Sequence, residues 1–188
     1  MPKTNGCDCD NPHTDDVCDT SDYSSDSDNS ADNHGYALSN EDINDFIEIV
    51  RHRGLIPKSQ RFLGVFPRDR IPHTNPGDFY VANLDTTGRP GTHWVAALQR
   101  PKELLYFDSY GLVPPTEAAE RAGGDRIVYN NAQLQADDSV VCGWMCIYIL
   151  CQLCAGRSYI DVITDFYPGP SKDNEEAIYD WFDALLRH

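Results

Sequence analysis

Basic charge is scarce in this 188-residue sequence: 15 Lys and Arg stand against 30 Asp and Glu, a formal net charge of −15. A chain this acidic is not drawn to a phosphate backbone by its overall field. The composition therefore argues against nucleic acid as a partner, although it leaves a local basic patch open. The sequence also lacks an apolar run approaching the ~20 residues that a bilayer-spanning helix needs, which argues against a membrane partner. Its first residues are acidic and polar where a signal peptide is basic and then apolar, so no such peptide is expected. There is no internal repeat. A paired cysteine framework is missing as well. Of seven cysteines, Cys7, Cys9 and Cys18 lie near the N-terminus, and Cys142, Cys146, Cys151 and Cys154 share one helix-like stretch. Side chains on one helix point in different directions, so with an odd count the thiols are expected to be reduced, in an intracellular setting.

What is present divides in two. Residues 1–36 hold nine Asp and one Lys among Ser, Asn and Thr, with almost no aliphatic side chains. They cannot bury enough surface to offset the entropy of ordering and are expected to form a disordered acidic tail. Cys7, Cys9, His13 and Cys18 in this tail match no standard zinc spacing, so no metal site is expected. Residues 37–188 carry most of the apolar and aromatic content and are expected to form one domain.

Ser39 is a good N-cap with Asp42 at the capping-box position, and Ile43, Phe46, Ile47 and Val50 follow as one apolar helix face. Gly54 can end this helix. Phe62–Phe66 reads as a short extended segment closed by Pro67, Arg68–Pro72 as a turn and Asp78–Leu84 as a strand. Thr92–Leu98 and Leu104–Phe107 form the clearest strand pair, and the break Gln99–Glu103 has hairpin length. A short helix over Thr116–Ala122, a strand over Arg126–Asn130, a helix over 142–155 buried on nearly all faces, and a last helix from about Asp173 complete the pattern. Glu176 is placed to close a capping box on that last helix, whose inner face is Ile178, Trp181, Phe182 and Leu185. Helices flanking a mostly antiparallel sheet make an α+β domain.

The chemistry-bearing residues sit in three stretches. Cys142, followed by Gly143, stands at the start of the buried helix, where the helix dipole favours a thiolate and the backbone N–H has no partner in the helix. The glycine lets the backbone come close to a ligand. His93 lies near the open end of one hairpin strand and Asp108 just past the end of the other, so pairing the strands brings base and carboxylate together. Trp94 is placed to wall the site from water. A side-chain amide just upstream of the cysteine, Gln133 or Gln135, can hold an oxyanion. Each residue also has a plainer reading: a buried apolar cysteine, a packed histidine, a turn-forming aspartate, a surface glutamine. All four roles being filled within one domain favours nucleophilic catalysis.

The sequence resembles adenain, the adenovirus maturation protease, and its relatives in large DNA viruses, virophages and Maverick/Polinton elements. The wider group includes the ubiquitin-like-protein proteases. The resemblance covers roughly residues 39–155. It is carried by Phe62-Leu-Gly-Val-Phe-Pro-Arg-Asp69, Gly91-Thr-His93-Trp94-Val95, Tyr106-Phe-Asp-Ser-Tyr-Gly111 and the run from Gln135 to Cys146. It implies a papain-like, adenain-like α+β cysteine-protease fold. It implies His93 as base, Asp108 as orienting carboxylate, Gln135 rather than Gln133 as oxyanion donor, and Cys142 as nucleophile. Adenain has Glu at the carboxylate position, and Asp108 is the variant common among relatives. By the same resemblance, the substrates are polypeptides such as viral capsid or core precursors, cleaved in the virion and the infected host cell by a monomer with no metal or cofactor. The alternative within the group is a protease that removes ubiquitin-like tags with the same chemistry. The peptide and DNA activators of adenain do not carry over, because their positions find no match here.

Overall fold

The computed structural model describes residues 35–187. The expected acidic tail lies outside the described residues except for its last two positions, and Cys7, Cys9, His13 and Cys18 lie outside with it.

Helix α1 spans Asn40–His52 and opens with the capping box expected of Ser39 and Asp42. The Ser39 hydroxyl accepts from Asp42 N–H at 3.2 Å, and the Asp42 carboxylate accepts from Ser39 N–H at 2.8 Å. Strand β1, Arg61–Pro67, runs into a short 3₁₀ turn at Arg68–Arg70, and β2 spans Asp78–Asn83. The hairpin of β3 (Trp94–Arg100) and β4 (Glu103–Asp108) has a tighter turn than the sequence suggests, only Pro101 and Lys102. The polar Gln99 stays in the strand because its amide is satisfied inside the fold, donating to Glu103 O at 3.2 Å and to the Asp125 carboxylate at 2.8 Å. Lys102, with φ +67°, takes the left-handed place that a glycine or asparagine usually fills.

Helix α2 (Thr116–Arg121) and strand β5 (Arg126–Tyr129) come next, followed by the buried helix α3, Cys142–Cys154. A short helix that the periodicity does not announce, α4 (Tyr159–Ile163), is started by Ser158, whose hydroxyl accepts from Asp161 N–H. Helix α5 spans Lys172–Leu186. It starts earlier than about Asp173 because Ser171 is the cap, its hydroxyl accepting from Asp173 N–H at 3.1 Å. Asn174 then occupies the third helical position where a capping-box acid would stand, so Glu176 stays exposed and closes no box.

The five strands form one sheet in the order β1-β2-β3-β4-β5. The central pairings, β2 with β3 and β3 with β4, are antiparallel, whereas the edge strands β1 and β5 are each parallel to their neighbour. Residue parity divides the strands between two apolar layers. Phe79, Val81, Ala96, Leu98, Leu105 and Phe107 face α1, α3 and α5 in the larger core. Tyr80, Ala82, Val95, Ala97, Leu104 and Tyr106 face the other way, covered by Ile71 and by Ala118 and Ala122 around α2. Those two covers belong to the connections that lead to β2 and β5, which is why both return parallel to the strand before them. Helix α3 lies in the larger core with only Tyr148 and Gln152 partly exposed. Its burial fixes where its N-terminus, and so Cys142, can stand.

Candidate active site

The site grows from the end of the β3–β4 hairpin. Val95 pairs with Asp108 across the two strands, so His93, just ahead of β3, comes diagonally beside that carboxylate. His93 is held at its backbone by Leu84 N–H, which donates to its carbonyl at 3.0 Å. Its Nε2 lies 2.8 Å from Asp108 Oδ1. The same carboxylate oxygen accepts from Tyr110 N–H at 2.8 Å, which fixes its direction. Because the carboxylate oxygen accepts, the proton belongs on Nε2 and Nδ1 is left for a second partner. Cys142 lines the same cleft, and its interaction with the ring helps to raise the His93 pKa.

After Asp108 the chain turns sharply, Gly111 N–H donating to Asp108 O at 2.8 Å. Gly111 has φ +68°, and a Cβ there would lie 2.7 Å from the backbone of Ala132. The missing side chain therefore lets residues 132–135 run against the turn. Leu134 and Gln135 N–H groups both donate to Ser109 O, at 2.8 and 3.3 Å. Asn130 completes the bracket, accepting from Asp108 N–H at 3.1 Å and donating to Ala132 O at 3.2 Å. This is how a residue 27 positions downstream reaches the carboxylate's end of the sheet.

Gln135 is almost fully buried, at 1% exposure. Its Oε1 accepts from the Ser109 hydroxyl at 2.7 Å, and its Nε2 donates to Ser139 O at 2.8 Å. A carbonyl can only accept, so Ser139 O fixes which end of the amide is nitrogen. The second Nε2 hydrogen is held loosely by the Tyr110 hydroxyl at 3.3 Å. Gln133 serves elsewhere: its Nε2 donates to Gln135 O at 2.9 Å and to Asp137 at 2.6 Å. Of the two amides, only Gln135 lines the cleft that holds His93 and Cys142.

Cys142 is the first residue of α3, and Val141, at the cap position, gives the helix no side-chain acceptor. Its own N–H is thus one of the donors that a helix start leaves without an intrahelical partner. Cys142 is 8% exposed and lines a cleft of about 470 Å³. Trp94 forms part of the wall, its Nε1–H donating to Leu38 O at 2.9 Å. Gly143 serves packing more than ligand approach: a Cβ there would lie 3.1 Å from Leu38 Cβ and 3.2 Å from Trp94 Cδ1. The glycine lets both side chains close over the helix start.

Electrostatics set His93 and the deeper cysteines of α3 apart from ordinary side chains. Burial alone would lower the His93 pKa, but the hydrogen bonds to Asp108 and Cys142 and their charges outweigh it, raising the value to about 9. At neutral pH the imidazole therefore carries its proton. Burial pushes the Cys146 thiol well up, and likewise raises Cys154 to about 12. Those cysteines are inert core residues.

Of the four residues singled out in the sequence, His93, Gln135 and Cys142 line one cleft, and Asp108 is buried behind His93, bonded to its ring. Ser109, Tyr110 and Ser139 join them without having been singled out. A usable signal exists for the first two, because they follow Asp108 in a tight Asp-Ser-Tyr-Gly turn and such a turn keeps them beside it. Tyr110 stacks over His93 at 4.7 Å between ring centroids, tilted by 38°.

No protein-family model matches the chain, and no curated protein matches it. Among solved structures, the chain is similar to the crystal structure of ASFV pS273R protease, with a TM-score of 0.54 and 16% identity, over 79% of this chain and 68% of that one. The selenomethionine crystal form of ASFV pS273R protease aligns with a TM-score of 0.40 and 23% identity, over 54% of this chain and 41% of that one. The chain thus spans less than half of that second structure. The first likeness shows the fold: a five-stranded mixed sheet flanked by helices, the α+β arrangement of papain-like and ubiquitin-like-protein-protease structures.

Proposed function

We propose that the chain is a cysteine endopeptidase that hydrolyses peptide bonds by acyl transfer through Cys142. The observation that carries this reading is the His93 ring bonded to the Asp108 carboxylate and lining one cleft with Cys142 and Gln135. A protonated imidazole against the sulfur stabilises a thiolate, which is the nucleophilic form. The thiolate forms a bond to the scissile carbonyl carbon, and the carbonyl electron pair moves onto oxygen. In this reading the Cys142 N–H and the loosely held Nε2 hydrogen of Gln135 receive that oxyanion. Collapse breaks the C–N bond, and the leaving amine takes the His93 proton. Water, deprotonated by His93, then cleaves the thioester. Asp108 keeps the imidazole in the tautomer that each step needs.

The likeness in fold to an ASFV protease and the sequence resemblance to adenain support a viral setting, with capsid or core precursors as substrates. The test is incubation with a peptide library followed by sequencing of the cut sites, with Cys142→Ala as control. Cleavage by the wild type that disappears in Cys142→Ala is the expected result. Equal cleavage by Cys142→Ala would refute the reading.

A further inference from the structure

Tyr110 does more at this site than pack. Its backbone N–H steers the Asp108 carboxylate, its ring lies over His93, and its hydroxyl accepts from Gln135 Nε2 at 3.3 Å. A phenol has one hydrogen to give as well as lone pairs to receive with. Here the oxygen receives from Gln135, so the O–H hydrogen remains available for another acceptor. The residue is only partly buried, and it lines the cleft together with Gln135 and Cys142. The hydroxyl therefore sits beside the donor that an oxyanion would use, with a second donor of its own.

We infer that the Tyr110 hydroxyl is a further catalytic residue, a third hydrogen-bond donor to the oxyanion alongside the Cys142 N–H and the Gln135 side chain. This rests on the acyl-transfer reading above. In the resting site the Tyr110 oxygen occupies the Nε2 hydrogen of Gln135 that Ser139 O does not take. When the thiolate adds to a substrate carbonyl, the new oxyanion takes that hydrogen over, and the phenol turns its own O–H to the same oxygen. No proton is transferred: the phenol keeps its hydrogen throughout and lets the oxyanion go when the carbonyl re-forms.

The loose 3.3 Å contact fits such an exchange, because a weak resting bond costs little to replace. The tight bonds to Gln135, at 2.7 Å to Ser109 and 2.8 Å to Ser139, hold the amide while the exchange takes place. The phenol's reach toward the reaction centre is also set by structure, since the turn at Gly111 and the Tyr110 N–H bond to Asp108 anchor its backbone on both sides.

Tyr110→Phe tests this cleanly, because it keeps the ring over His93 and the backbone bond to Asp108 and removes one oxygen. Two reactions of Cys142 should then part company. Hydrolysis of a cleaved peptide, and inhibition by the corresponding peptide aldehyde, both place a negative or hydrogen-bonded oxygen in the cleft. Both should weaken by about 10- to 100-fold, in kcat with KM little changed for the peptide. Alkylation by iodoacetamide proceeds at a saturated carbon and develops no oxyanion, so its rate should stay within about twofold of the wild type. Unchanged peptide hydrolysis in Tyr110→Phe would overturn the inference. An equal fall in alkylation would overturn it too, because it would put the hydroxyl to work on the thiolate or the imidazole instead. If the wild type itself cleaves nothing, or Cys142→Ala cleaves as well as the wild type, the acyl-transfer reading falls and this inference with it.

Discussion

Asp108→Asn removes one charge from the buried pair and leaves its shape. In the folded protein the His93 pKa lies at about 9, against 6.5 for the free side chain, a preference for imidazolium on the order of 3 kcal/mol. The folded state holds this proton to a higher pH than the unfolded chain does. The stabilisation is therefore complete below pH 6.5 and is lost as the pH rises through about 9. Asp108 contributes more to the rise than Cys142 by hydrogen bonding, while burial works against both. With the carboxylate neutralised, burial is left opposed mainly by the sulfur, and the His93 pKa should fall back towards or below its ordinary value. Urea unfolding of wild type and Asp108→Asn, measured every half unit across this range, gives the comparison directly. The wild type should lose roughly 2 kcal/mol relative to the variant between neutral pH and the alkaline end of the range. An NMR titration of the His93 ring reads the same shift without unfolding. A constant stability difference at all pH values, with His93 titrating alike in both proteins, would refute the electrostatic account of the pair.

Two further substitutions probe the frame around the pair. Gln135→Ala should lower kcat by about 10²–10³ in peptide hydrolysis, with the variant folded at 25 °C but less stable by about 1–3 kcal/mol, since Ser109 and Ser139 lose a buried partner. Circular dichroism beside the kinetics separates the two effects. Gly111→Ala should destabilise the domain by more than about 2 kcal/mol, because it combines a left-handed φ of +68° with a Cβ 2.7 Å from the Ala132 backbone. A thermal melt within a degree of the wild type would show that the 132–135 segment does not depend on that close approach.

How much of this was legible beforehand follows from how local each signal is. The α1 capping box needs only Ser39 and Asp42, three residues apart, and it forms as read. The hairpin that joins His93 to Asp108 is also local, so their meeting could be expected from strand pairing, even though β3 continues through Gln99 and Arg100. Helix α3 announced its burial by being apolar all round. The parallel edge pairings were not readable, because they depend on where Ile71 and α2 cross the sheet, and no periodicity records that. Helix α5 starts within a residue of Asp173, but the capping box with Glu176 does not form, because Ser171 is the cap and Asn174, at the third helical position, spends its amide on Leu134 O and Tyr167 O. Gln133 and Gln135 were indistinguishable by residue type, and the resemblance alone favoured the second. In the structure they differ by the company they keep, Asp137 for one and the cleft for the other. Tyr110 was hidden in plain turn sequence, since its part depends on an amide brought from 25 residues away.

The account depends most on Cys142 being a nucleophile made reactive by His93. Site-resolved mass spectrometry of iodoacetamide labelling at pH 6, in the wild type and in His93→Ala, tests that most directly. The account predicts that Cys142 is labelled first among the cysteines of α3, about tenfold faster than cysteine in a short peptide, and that His93→Ala removes the advantage. Labelling of Cys142 at the peptide rate, or at the same rate with and without the imidazole, would contradict it.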